Sequence, residues 1–267
     1  MQPEEIDGVQ APPLEQSPAP ILESPGLAFL LPEKEREPFW NYGDLLLMIG
    51  LLFISLLLAG LAAREWVQFH PNLKKDLTDL ALPFQFVAYA LVYFCFFLVF
   101  KLRYDRPVFE SLGWRKSGYN LLAAGLGGVL LAFGIAYLAS LIHTPKVDTP
   151  FEDLVKTPLS MALLALTAVV LAPLFEEMIF RGFLQPLFSR TLGAGLGIFL
   201  TAVLFGGLHA SEYQKAWQYV AAITIVGIVL GILRAKTNSI IPGTVMHGCF
   251  NAVSVVGLFA AKYVTHK

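Results

Sequence analysis

The chain has 267 residues, of which 56% are hydrophobic and 15% charged, against ~25% charged in an average soluble domain. This balance points to a membrane protein. The net charge of −1, from 19 basic and 20 acidic residues, argues against a nucleic-acid partner, which calls for a basic surface. Cys95 and Cys249 lie in separate apolar segments without metal-ligand spacing, so neither a disulfide framework nor a zinc site is expected.

Residues 1–40 are acidic and Pro-rich and lack the basic and apolar regions of a secretory signal. A disordered tail is expected there, with a short interfacial patch at Ile21–Leu31. Asp44–Ala63 is the first expected span, close to the ~20 residues that a bilayer core needs. Arg64–Asp79 is a polar connection, and Leu80–Phe100 is a second span rich in Phe and Tyr. Lys101–Gly118 holds Lys101, Arg103, Arg106, Arg115 and Lys116 among aromatics, which suits a cytoplasmic membrane-surface segment. Leu121–Ile142 is the third span, with Gly125, Gly127 and Gly128 permitting close helix approach.

After a polar loop at His143–Pro158, Leu159–Phe188 forms a fourth apolar element, too long for a simple perpendicular span, so tilt or protrusion is expected. Leu196–Ala210, Trp217–Leu233 and Ile240–Ala260 complete about seven spans. The expectation is an all-α polytopic transmembrane bundle. Residues 41–142 supply packing and anchoring, and residues 143–267 carry nearly all the intramembrane polar groups. His70, His143 and His266 fall in loops or at the terminus and read as solvated.

Three pairs recur there at i,i+4 spacing: Glu177 with Arg181, Phe205 with His209, and His247 with Asn251. Residues four apart share one helix face. A charge facing lipid at mid-depth costs roughly 2.5–3.5 kcal/mol on insertion scales, so the fold must satisfy Glu176, Glu177 and Arg181. Glu176 is rotated about 100° from Glu177. The expectation is therefore that the two carboxylates do not face the same group, with Glu177 paired to Arg181 and Glu176 free. Counted from a turn centred between Leu192 and Gly193, Glu176 and His209 lie at matched depth, roughly 25 Å away at ~1.5 Å per residue. A carboxylate and an imidazole so arranged could hold one water for hydrolysis. His247 and Asn251 could donate hydrogen bonds to an oxyanion.

Taken singly, each group also has a structural reading: the Glu–Arg pair and Asn251 as helix–helix fastenings, and the glycines as packing residues. A non-enzymatic membrane scaffold would use the same groups that way. A proton-coupled transporter finds no support, because no repeat or broken-helix pattern is present. The zinc-peptidase pattern His-Glu-x-x-His is absent.

In their order on successive spans, Glu176-Glu177-x-x-x-Arg181, Phe205-x-x-x-His209 and His247-x-x-x-Asn251 resemble the three signature motifs of the CAAX prenyl endopeptidase and bacteriocin-processing family. These are also called the Abi or CPBP intramembrane proteases. The resemblance covers roughly Leu159–Ala260. It implies a metal-independent glutamate protease that needs no cofactor. In that scheme Glu176 and His209 activate the water, His247 and Asn251 form the oxyanion hole, and Glu177 and Arg181 support the site. The implied partners are the lipid bilayer and a membrane-associated peptide or protein, the CAAX-type prenylated class included. The implied location is a bacterial plasma membrane. The family also contains members that act as scaffolds or immunity-type proteins. No oligomeric state is assigned.

Overall fold

The computed structural model describes residues 37–69, 77–145, 147, 157–214 and 216–265. Residues 1–36 of the expected tail, His70, His266 and most of the His143–Pro158 loop lie outside the described residues. No strand occurs among those described. The helices are α1 (Tyr42–Phe69), α2 (Leu77–Leu98, extended by a π-helical turn at Val99–Arg103), the short α3 (Val108–Ser111) and α4 (Leu121–Leu141). They continue as α5 (Pro158–Leu192), α6 (Ala194–Leu208), α7 (Trp217–Thr237) and α8 (Ile241–Thr265).

Among the described residues, six helices are long and apolar enough to cross a membrane, and α6 is a seventh, shorter apolar helix of 15 residues. Fifteen residues rise only ~22 Å, less than the ~30 Å hydrocarbon core. The 35 residues of α5 would rise ~52 Å if regular, far beyond that thickness. Gly193 joins these two helices with φ +82° and ψ 159°, a backbone region that is essentially glycine's alone.

The outward faces are those of a lipid-embedded bundle. Leu46, Phe53, Leu122, Leu130 and Leu208 are all about 70% exposed, an arrangement that water would penalise and acyl chains do not. Inside, helix contacts rest on small residues. Ala124, Gly128 and Ala132 of α4 are buried, and a Cβ on Gly128 would collide with the carbonyl oxygen of Met246 on α8. A Cβ on Gly227 of α7 would stand 3.0 Å from the Ala202 methyl of α6. Small side chains let backbones approach where lipid supplies no hydrophobic drive for association.

The end of the bundle where α1 begins is closed by aromatics. Trp40 stacks on Phe100 and Phe183 at 5.3 and 5.5 Å, and its indole N–H donates to the Phe183 carbonyl at 3.1 Å. Asp44, fully buried in the first turn of α1, accepts from the Asn41 backbone N–H and the Tyr104 hydroxyl and pairs with Arg103 at 3.2 Å. A carboxylate in the first turn also complements the positive end of the helix dipole.

Candidate active site

The site grows from the irregularity of α5. Pro173 and Pro186 have no N–H to give to the carbonyls four residues earlier, which disturbs the regular ladder. Two π-helical stretches, Thr167–Leu171 and Met178–Leu184, lie just ahead of these prolines. Carbonyls released in this way inside a membrane need other donors, and neighbouring elements provide them. Asn251 Nδ2 donates to Ala168 O at 2.8 Å, Arg234 Nε to Arg181 O at 3.2 Å, and Trp40 to Phe183 O. Val169 O, the carbonyl that Pro173 leaves without its helical donor, faces Gly248 so closely that a Cβ there would stand 2.6 Å away. Thus α8 docks on the broken part of α5, and docking brings His247 and Asn251 to Glu176 and Glu177.

Glu177 and Arg181 are both fully buried, and Nη1 of Arg181 donates to Glu177 Oε1 at 2.9 Å. The other guanidinium arm donates to Gly227 O at 3.1 Å, and the Phe205 ring lies 4.5 Å from the guanidinium carbon. One turn on, Gln185 repeats the motif by donating to Gly231 O at 2.9 Å. The charge pair and its extension therefore bind α5 to the backbone of α7.

His247 connects the two glutamates. Its Nδ1 lies 3.2 Å from Glu177 Oε1, and its Nε2 lies 3.6 Å from Glu176 Oε2. This corrects the expectation that the carboxylates face different groups. An imidazole has nitrogens on two edges, so carboxylates 100° apart on one helix can flank the same ring. They differ in exposure. Glu177 is sealed, whereas the Glu176 side chain is 24% exposed.

That exposure opens into a cavity of about 360 Å³ lined by Glu176, His209, His247 and Asn251 together with apolar side chains such as Leu164, Val226, Phe250 and Leu258. His209 sits where α6 ends, its Nδ1 2.7 Å from Phe205 O. A carbonyl only accepts, so Nδ1 carries the proton and Nε2 of the neutral ring is an acceptor. Phe205 ties the rings together, lying edge-to-face with both His209 (4.8 Å) and His247 (5.7 Å). All four candidate catalytic residues thus line one cavity, with Glu177 and Arg181 behind it. Among the described residues, no group of three His, Cys, Asp or Glu side chains is arranged to hold a metal ion.

Residues 158–253 match the family model described as type II CAAX prenyl endopeptidase Rce1-like. This part of the chain is similar to the Rce1-like family. The matched stretch contains every motif residue named above, from Glu176 to Asn251. An uncharacterized 24.3 kDa protein of Escherichia coli is 29% identical over 156 residues, covering 57% of this chain and 70% of that protein. No solved structure matches.

The cavity also has walls that the motifs do not mark. Gln85 and Tyr89 of α2 reach it from outside the Rce1-like stretch, and Glu212 and Tyr213 reach it from the turn after His209. Burial raises the Glu212 carboxyl above its ordinary range; His209 pulls it back, and the Glu176 charge pushes it further up. Burial likewise pushes the Tyr213 phenol up to about 12, helped by Glu212. In sequence these four residues are not marked by charge within an apolar span, although Gln85 and Tyr89 stand at i,i+4. Tyr89 is one aromatic among many in its span, and Glu212 lies in a polar turn.

Proposed function

We propose that this protein is an endopeptidase that hydrolyses a peptide bond of a membrane-associated substrate, with CAAX-type prenylated proteins as the class suggested by the Rce1-like match. One observation carries the reading: of two adjacent glutamates, Glu177 is sealed against Arg181 while Glu176 opens into a cavity it shares with two histidines. Glu176 takes a proton from a water whose second hydrogen bond goes to His209 Nε2. The water oxygen attacks the carbonyl carbon, and the carbonyl π electrons move to oxygen. The oxyanion receives a hydrogen bond from the second N–H of Asn251, since the first is held by Ala168 O. It receives another from His247 Nε2–H. That role requires the imidazolium form, whose charge Glu176 and Glu177 balance on either edge. Collapse of the intermediate breaks the C–N bond, and the proton on Glu176 passes to the leaving amine. Nothing in the scheme requires a metal. A bacterial plasma membrane is the proposed location.

The test is mass spectrometry of membrane peptides from cells carrying the wild-type protein or Glu176→Gln. New carboxyl termini present only with the wild type support hydrolysis. Identical peptide sets refute it. A second reading, a non-enzymatic scaffold, is favoured by the use of Arg181, Gln185 and Asn251 as helix fastenings. It predicts that Glu176→Gln leaves the cellular phenotype intact and that breaking the Arg181 contacts removes it.

A further inference from the structure

The phenol of Tyr89 enters the cavity from α2, a helix that lies outside the Rce1-like stretch. Its ring is fixed by stacking on Phe175, with centroids 4.4 Å apart and planes 15° from parallel. Phe175 immediately precedes Glu176, so the stack holds the phenol beside the helical turn that carries the proposed base. Gln85, one turn earlier on α2, donates its amide N–H to the Tyr89 oxygen at 2.7 Å. A phenol has one proton and can accept as well as donate. With its oxygen loaded by Gln85, the Tyr89 O–H remains to be donated, and no acceptor for it is found among the described residues. A polarised donor held rigidly in a largely apolar cavity is suited to a carbonyl that arrives with a ligand.

We propose that the Tyr89 hydroxyl is a substrate-binding group, donating a hydrogen bond to a backbone carbonyl of the bound peptide other than the one cleaved, with Gln85 directing that hydroxyl. The inference rests on the peptidase reading. It adds α2 to the substrate site and gives the peptide a contact on a helix other than those that carry the motifs. An extended peptide offers carbonyls at regular intervals, so one can meet Tyr89 while another meets His247 and Asn251. The contact is made to backbone, so it sets affinity without selecting a side chain.

The experiment uses the full chain reconstituted in lipid and a quenched-fluorescence peptide ending in a farnesylated CAAX box. Tyr89→Phe keeps the ring and its stack and removes only the hydroxyl. The expected result is a KM raised about 3- to 10-fold, the range for one lost neutral hydrogen bond, with kcat within twofold and an unchanged melting temperature. In the inactive Glu176→Gln background, Tyr89→Phe is expected to weaken binding of the same peptide, read by fluorescence anisotropy, to a similar extent. An unchanged KM and binding constant beside an inactive Glu176→Gln overturns the Tyr89 inference and leaves the peptidase reading standing. A fall in kcat with KM unchanged also overturns it, because the hydroxyl would then act on the water or on Glu176. Absence of cleavage by the wild-type protein overturns the peptidase reading itself and this inference with it, whereas full activity in Glu176→Gln overturns only the role of Glu176 as base.

Discussion

Replacing Arg181 with Met leaves Glu177 as a carboxylate at zero exposure that has lost its guanidinium and, among the described residues, keeps His247 as its remaining ion-pair partner. At 2.9 Å the direct attraction is about 6 kcal/mol for an effective dielectric of ~20. Desolvation of both groups offsets much of that, so the pair itself contributes far less than the attraction alone. Removing one member is different, because the desolvation cost of the other stays. Broken buried pairs typically lose about 3–5 kcal/mol. The Met variant also gives up the hydrogen bond to Gly227 O that fastens α5 to α7, so a loss near the upper end of that range is expected. The assay is reversible unfolding in mixed micelles, followed by tryptophan fluorescence. The double variant Glu177→Gln/Arg181→Met removes both charges and should recover at least ~2 kcal/mol of the loss. A single variant that loses under 1 kcal/mol, or a double variant no more stable than the single, would refute the view that an uncompensated buried carboxylate is what the guanidinium prevents.

Gly248→Ala sets a methyl 2.6 Å from Val169 O. It should destabilise by about 1–3 kcal/mol, as overpacking does, and by moving α8 off α5 it should lower activity more than stability. Initial rates and melting temperature, measured together, check this. Glu212 lies in the turn between α6 and α7, and its raised carboxyl pKa means that the fold favours the neutral acid. Its stabilising contribution is therefore present below the ordinary value of 4.5 and is lost as pH rises through the higher folded value. Glu212→Gln should gain on the wild type in melting temperature as pH rises from 4 to 8, and a constant difference would contradict this. Activity should withstand EDTA, whereas loss on chelation with recovery on adding zinc would return a metal mechanism.

The sequence marks the motif positions because charge and imidazole in apolar segments are conspicuous. Glu176, Glu177, Arg181, His209, His247 and Asn251 can all be picked out on that ground, and the Glu177–Arg181 pairing follows from i,i+4 spacing alone. The irregular turns of α5 are harder to read. Pro173 and Pro186 hint at them, but that the ladder yields by widening into π-helix, and that Asn251, Arg234 and Trp40 bind carbonyls there, depends on tertiary docking. The meeting of both glutamates on His247 does not follow from helical angle, which describes where side chains leave the axis, because a two-edged ring can receive both. Tyr89 and Gln85 are invisible for another reason. Aromatic residues in a membrane helix are ordinary, and only the neighbouring Phe175 makes this one part of a cavity wall.

Glu176, the one glutamate of the pair open to the cavity, is the residue proposed to activate water. The most direct test is the initial rate at which the purified, reconstituted protein hydrolyses a farnesylated CAAX peptide, with Glu176→Gln beside the wild type. A fall of roughly 10²–10⁴-fold, the range for a lost general base, is expected at unchanged melting temperature. A Glu176→Gln protein that cleaves within a few-fold of the wild-type rate would contradict it.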